Sequence, residues 1–440
     1  MIGDSAKGAA DTAKPGSGYR HLVLWMLVLV YMVNFVDRQI VAMLGQYIIA
    51  DLHLTKTEFG LLGGTAFALF YTVCGIPVAW LADRGSRVRI LTAACAIWSI
   101  FTALCGATTN FIQIALCRMG TGVGEAGGSP PSYSLISDYF PPRERGRALA
   151  IYSLGYPLGA MVGAFAAGRI AELWGWRMAF YLVGFPGVVL ALVIPWVIRE
   201  PRRGILDVAV DGKDHEPAPP LGAAIAHYFG NRTLLLTAVS SAFSAFVNYA
   251  GLIWHPQFLI LVKGMSSKDV ANIYSVVLGV TGAIGILAGG LLVDKLGHAD
   301  RRWYAWIPAI ACAASIPFWI GMIWAPSWQL AIVFMAGPLL LINMYLAPAL
   351  ALVQNAVAPG MRTVAGAILL FVLNLVGLGV GPVYVGWIAD AMEPIHGHNA
   401  LAFGYAAVVP VLVITVGAHI LTSLSIARDK HLAATVHLLG

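Results

Sequence analysis

Residues 80–87 read WLADRGSR, and residues 290–298 read GLLVDKLGH. Aligned, they set Asp83 on Asp294 and Arg84 on Lys295. Two more pairs repeat at nearly the same offset. VNFVDR at 33–38 is echoed by VNYAGL at 247–252, and GAFAAGRIAE at 163–172 by GPVYVGWIAD at 381–390. An offset this constant means that one structural unit occurs twice in the chain with the same polarity.

Composition says what the unit is. The 440 residues are 59% hydrophobic and 11% charged, with mean hydropathy +0.78. A soluble domain carries about 25% charged residues. Apolar runs of roughly 20 residues, long enough to cross a bilayer core, recur throughout. They fall near 21–49, 58–82, 89–107, 111–137, 146–168, 177–198, 232–262, 269–293, 303–324, 328–353, 363–388 and 400–426. The expectation is an all-α polytopic membrane protein: twelve transmembrane helices in two pseudo-symmetric six-helix bundles, 21–198 and 232–427. Residues 1–20 and 428–440 read as polar tails, the first disordered. Residues 199–231, holding REPRRGILDVAVDGKDHEPAPP, read as the linker between bundles.

Basic residues give the orientation. Of 27 Lys and Arg, 20 fall in the tails, the linker and the loops on their side; five fall in the opposite loops, and Arg38 and Arg118 lie within spans. Both tails and the linker are therefore expected in the cytoplasm, and the net charge of +6 reflects topology, with no nucleic-acid partner. The five cysteines all fall within spans, without metal or disulfide spacing, and read as small apolar residues.

LADRGSR and GLLVDKLG resemble the loop motif of the major facilitator superfamily, and DYFPPRERGRA at 138–148 resembles that superfamily's signature between spans four and five. Ala79 and Ser86 stand where the loop motif usually has glycines. NFVDR, with RMGTGVGEAGGSPPSYSLISDYF at 118–140, is similar to the Spinster branch. The resemblance implies the major facilitator fold, with spans one, four, seven and ten around a central cavity. It also implies a transporter for lipid-like or drug-like molecules.

Charges inside spans cost at least about 2.5–3.5 kcal/mol each and mark function by default. Arg118 and Glu125 are seven residues apart, hence on one helix face and roughly 10 Å apart along the axis. The glycines around Glu125 and Pro130–Pro131 after it predict a bent helix with exposed backbone, which lipid tolerates only against protein or a wet cavity. The resemblance brings Asp37 of span one beside them. Asp37, Glu125 and Arg118 are the proton-coupling candidates; Arg38, about 100° around the helix from Asp37, is a possible structural partner. Gly251 and Leu252 replace Asp37 and Arg38 in the second repeat, so proton chemistry is expected in the N-terminal half.

Substrate-cavity candidates are Tyr31, Asn34 and Tyr133 in the first half. In the second they are Asn248, Tyr249, Trp254, His255, Asn343 and Tyr345. Asp83, Arg84, Arg87, Arg145, Asp294 and Lys295 are candidates for a cytoplasmic gate, pairing with a neighbouring helix end in one conformation and releasing in the other. Gly155, Gly159 and Gly163 are four apart and predict close helix packing. His419 is expected to pack in the core. Glu393, His396 and His398 lack a fourth ligand at useful spacing, so no metal is expected.

The combined expectation is a proton-coupled secondary transporter of an amphipathic organic substrate. It works by alternating access in a cell inner membrane and functions as a monomer, with protons as coupling ion and no other cofactor. An organic-anion:proton symporter, with Arg118 binding the carboxylate, is the alternative. A receptor or a lipid scramblase needs no titrating pair, and no enzyme motif appears at any span end. A fluorescent-protein fusion at the C-terminus is expected to fluoresce and an alkaline phosphatase fusion there to stay inactive; in-gel fluorescence and phosphatase assays check it.

Overall fold

The computed structural model describes residues 17–203, 221–297, 299–357 and 361–429, and every regular element among them is helical. Most of both expected tails and residues 204–220 of the expected linker lie outside the described residues.

Ten stretches are long and apolar enough to cross a membrane. Two features raise the number of passes to twelve. Val364–Arg428 contains two passes joined by a short turn. The fourth pass is broken after Glu125, into Phe111–Glu125 and Ser129–Tyr139. The break falls where Gly127 and Gly128 weaken the helix and Pro130 and Pro131 withhold two amide donors, a loss tolerated in the first turn of the second segment. The first half comprises Ser17–Leu52, Lys56–Gly63 with Thr65–Arg84, Arg87–Cys105, the broken fourth pass, Pro142–Ser153 with Gly155–Trp174, and Trp176–Val197. The second half runs from Arg232 to Arg428, preceded by a short helix, Leu221–Gly230. Three of its passes contain wide π turns, at Phe258–Val262, Val270–Tyr274 and Leu373–Leu378.

Each half crosses six times, an even number, so Ser17 and Arg428 lie on one face, here the terminal face. The halves meet toward the opposite, far face. One apolar cluster spans both, running from Val36, Met43 and Phe59 to Phe246, Trp254 and Leu278. Toward the terminal face the clusters are separate. Val23, Leu91, Tyr139 and Ile194 belong to a cluster within the first half, while Tyr228, Leu234, Tyr345 and Leu369 belong to one within the second. The molecule is thus sealed on the far face and parted toward the terminal one.

The seal is made by backbone-to-backbone packing. A Cβ on Gly168 would lie 2.6 Å from the Ala271 Cβ across the interface, and one on Gly64 would lie 2.5 Å from the Leu378 carbonyl oxygen. Gln257 Nε2 donates to the Ala42 carbonyl at 2.6 Å, and Thr65 Oγ1 to the Gly379 carbonyl at 2.5 Å. Within the first half, Gly155, Gly159 and Gly163 bring the fifth pass onto the first, over Tyr31, Met32 and Val36.

A Cβ at Gly163 would sit 2.7 Å from Val36 Cα and 2.8 Å from its carbonyl oxygen. Gly163→Val is therefore expected to cost about 1–3 kcal/mol of stability by overpacking. Gly417 has open space around it, so Gly417→Ala is expected to be neutral or to gain up to about 1 kcal/mol of helix propensity. Thermal unfolding of the detergent-solubilised variants measures both.

Candidate functional site

Asp37, Arg118 and Glu125 are each 2% exposed and converge from the first and fourth passes at the inner end of the opening. Glycine makes the convergence possible. A Cβ at Gly124 would sit 2.5 Å from the Trp98 amide nitrogen on the third pass, and one at Gly122 would sit 2.6 Å from the Phe67 carbonyl oxygen on the second. Only a helix without side chains at those positions nests between its neighbours so closely.

Arg38 completes the group. Its Nε lies 2.6 Å from Glu125 Oε2, the shortest ionic contact of the four, whereas Arg118 Nη1 stands 3.9 Å from Asp37 Oδ2. Asp37 and Arg38 therefore take different partners, one on each side of the helix. Two carboxylates and two guanidiniums balance, so no net charge is buried. Rings finish the box: the Arg38 guanidinium lies 4.8 Å from the Phe35 ring centre, 5.0 Å from Phe67 and 4.7 Å from Tyr71. Arg118 also lies 5.0 Å from the Phe67 ring centre. Such contacts strengthen as water is excluded.

The balance is electrostatic and leaves hydrogen bonds unmade. Both Asp37 oxygens, Glu125 Oε1, Arg118 Nε and Nη1, Asn34 Nδ2 and Gln39 Nε2 have no protein hydrogen-bond partner. Thr102 and Glu125 lie beside the Asp37 carboxyl without closing a bond to it. Orphaned groups are costly in protein interiors; these seven atoms lie on the first and fourth passes, and others lie elsewhere, on Thr72, Trp98, Ser99 and Tyr274 among them. Arg38 is the member of the quartet that reaches the opening, with 15% of its side chain exposed.

The expected cavity residues divide into two groups. Tyr31 stacks on Tyr152 at 4.4 Å, and Tyr133 meets Tyr152 edge-on at 5.4 Å. Tyr249 faces Arg38 from the second half, with Tyr156 close by. Tyr31, Tyr133 and Tyr249 line the opening; Tyr152 backs them from the core, and Asn34 is buried as well. Asn248 borders a small cavity of about 10 Å³ with His255 and Trp319.

The remaining residues lie in packed interior. The Trp254 indole donates to the Pro382 carbonyl at 2.8 Å and meets Phe59 edge-on, so it belongs to the far seal. His255 is paired with the Tyr405 hydroxyl at 3.0 Å and covers Gly251, the repeat counterpart of Asp37. Asn343 donates to the Leu339 carbonyl at 2.6 Å, where the tenth pass tightens into a 3-10 turn. Tyr345 is in the core cluster of the second half. In each case a polar group freed by irregular helix, or an aromatic ring, finds its partner inside the half instead of facing substrate. His419 is buried 2.8 Å from Ser244 Oγ. Sequence reasoning missed Phe67, Tyr71 and Thr102; the i, i+4 spacing of the two rings in the second pass was the available signal.

At the terminal face, Arg87 is buried between Asp138 and Glu200, with Glu200 Oε1 2.7 Å from its Nε. Glu200 also accepts from Ser86 and from the Val88 amide, capping the third pass. Arg145 donates to the carbonyls of Ser137 and Phe140. Arg84 covers the Trp80 ring at 4.0 Å. Asp294 and Lys295 are exposed at the end of the eighth pass, and the Asp83 side chain lies outside the described residues. The described contacts of Arg87 and Arg145 thus stay within the first half and the first residues of the linker. Glu393 pairs with Lys56 at 2.7 Å, and His396 stacks on Phe403.

A family model described as Major Facilitator Superfamily matches residues 27–382. An MFS-type efflux pump of Mycolicibacterium smegmatis is 31% identical, over 86% of this chain and 86% of that protein. The hexuronate transporter of Bacillus subtilis is 24% identical, over 89% of this chain and 93% of its own. Protein spinster homolog 1 of Xenopus tropicalis is 26% identical, over 86% and 75%. The crystal structure of a bacterial homolog to the human lysosomal transporter Spinster, inward-facing and unoccupied, superposes with a TM-score of 0.84 at 30% identity, covering 94% of this chain and 99% of that one.

Glu200 supplies a pH signature outside the spans. Burial pushes its carboxyl up, but the Val88 amide, Arg87 and Ser86 outweigh burial and hold it below its ordinary value of 4.5. The group therefore stabilises the fold fully above that value, and the contribution fades as pH falls through and below it. The difference in melting temperature between wild type and Glu200→Gln is expected to be constant near neutrality and to shrink below about pH 4.5; thermal unfolding across a pH series measures it.

Proposed function

The chain belongs to the Major Facilitator Superfamily, and from that premise we propose that it is a proton-coupled secondary transporter of an amphipathic organic molecule, working by alternating access. The observation that carries the reading is the buried quartet of Asp37, Arg38, Arg118 and Glu125. It holds two carboxylates and two guanidiniums in balance, with carboxylate oxygens lacking partners, at the inner end of an opening. A purely structural ion cluster closes its hydrogen bonds, because an unmade one costs the full desolvation of the group. This cluster leaves them open on the two carboxylates that accept a proton.

A proton on Asp37 or Glu125 leaves one guanidinium in excess. That excess favours whichever conformation brings water or a substrate anion to the arginines, so loading the proton biases the two-state equilibrium between the halves. The phenols of Tyr31, Tyr133 and Tyr249 give the opening a wall with apolar faces and polar rims, suited to an amphipathic molecule. The likeness to an efflux pump and to Spinster proteins supports the same class. A second reading is an organic-anion:proton symporter. The exposed edge of Arg38 favours it, as does the similarity to a hexuronate transporter. With tails and linker placed in the cytoplasm of a cell inner membrane by the distribution of basic residues, the terminal-face opening is inward.

Purified protein in liposomes with an internal pH dye tests the reading against a panel of lysolipids, cationic drugs and organic acids. Substrate-dependent proton flux is expected for the wild type and is expected to fall at least about tenfold in Asp37→Asn and in Glu125→Gln. Flux with organic acids alone selects the symporter. Substrate movement untouched by either substitution removes the carboxylates from coupling.

A further inference from the structure

We propose that Asp390 is the gate residue of the far face: from the second half, it caps the helix that begins the second pass in the first half, and so holds that face shut. The inference rests on the two halves rocking against each other, and on no assignment of proton or substrate.

The second pass starts with Lys56–Gly63, directly after Thr55. Thr55 and Glu58 form a local capping box: Thr55 Oγ1 accepts from the Glu58 amide at 3.1 Å, and the Glu58 carboxylate accepts from the Thr55 amide at 2.8 Å. The amides of Lys56 and Thr57 remain, and a helix start cannot satisfy these from within itself. Both point at Asp390. Lys56 N donates to Oδ1 at 2.9 Å, Thr57 N to Oδ2 at 2.7 Å, and Thr57 Oγ1 to Oδ2 at 2.5 Å. The carboxylate also meets the positive end of the helix. Half of this cap is local and half is borrowed from across the interface.

The surroundings admit no substitute. A Cβ on Gly386, one turn before Asp390, would lie 2.7 Å from the Lys56 carbonyl carbon, and one on Gly60 would lie 2.9 Å from that of Pro382. The two backbones touch, so the face cannot part by a small slide: separation withdraws all three donors from Asp390 together. The repeat supplies an independent comparison. Asp390 ends GPVYVGWIAD and Glu172 ends the equivalent GAFAAGRIAE, yet Glu172 pairs with Arg169 one turn back in its own helix. The same position does local work in one half and joins the halves in the other.

The test reads the opposite rim of the same face. Ser267 Oγ accepts from Gln46 Nε2 at 2.7 Å, between the eighth and first passes. A Ser267→Cys protein in nanodiscs is labelled with a hydrophilic maleimide, and the rate for the parent with its native cysteines is subtracted. Adding Asp390→Ala is expected to raise the labelling rate at 267 about tenfold, as the loss of charge-assisted hydrogen bonds shifts the equilibrium toward the far-open state. Asp390→Asn, which keeps the size and one acceptor, is expected to give a smaller rise. Glu393→Ala, which removes only the exposed partner of Lys56, is expected to stay within about twofold. Unchanged labelling in either folded Asp390 variant, or an equal rise with Glu393→Ala, overturns the proposal. No substrate or pH gradient enters the measurement, so its outcome is independent of the coupling experiment.

Discussion

Four charges drawn this far out of bulk solvent must compensate one another, and the organisation of the first half follows from that demand. The carboxylates of Asp37 and Glu125 and the guanidiniums of Arg38 and Arg118 come from only two helices, and the fourth pass reaches the first by settling until its backbone nearly touches the second and third passes. The glycines of the fourth pass, its break after Glu125 and the rings of Phe35, Phe67 and Tyr71 all serve that approach. A buried ion pair is weak evidence for stability, because desolvation offsets most of the attraction. A quartet with open oxygens is weaker still as a structural device.

The fold was legible because three signals agreed: apolar runs of spanning length, basic residues confined to one side, and motifs recurring at one offset. Helix breaks were half legible. Glycine and proline marked the interruption at Ala126–Gly128, but the π turns at Phe258–Val262 and Leu373–Leu378 have no composition to distinguish them. The grouping of Asp37 with Arg118 and Glu125 came from resemblance, since no spacing rule relates residues on different passes. Arg38 was the harder case. Adjacent residues on a helix point about 100° apart, and the direction in which Arg38 found Glu125 depends on the rotation of the fourth pass, which only tertiary packing sets.

The residues missed have a common cause. Phe67, Tyr71 and Thr102 sit inside apolar runs where an aromatic ring or a threonine is ordinary, and Glu200 and Asp390 sit at helix ends where charges are ordinary. Each owes its role to what lies opposite. The converse error has the same origin: Trp254, His255 and Asn343 are polar or aromatic on a cavity-forming pass, but helix rotation turns them to interior partners. Sequence patterns report the chemistry a side chain has available, and packing decides where that chemistry is delivered.

The pairing of Gly251 with His255 carries a consequence for how the duplicated halves diverged. A Cβ at 251 would lie 2.6 Å from the His255 imidazole nitrogen, so the space that Asp37 fills in one copy is held by a neighbouring ring in the other. A carboxylate placed at 251 has to displace that imidazole, which the Tyr405 hydroxyl holds from its other nitrogen, so a single exchange at 251 does not make the second half the electrostatic copy of the first.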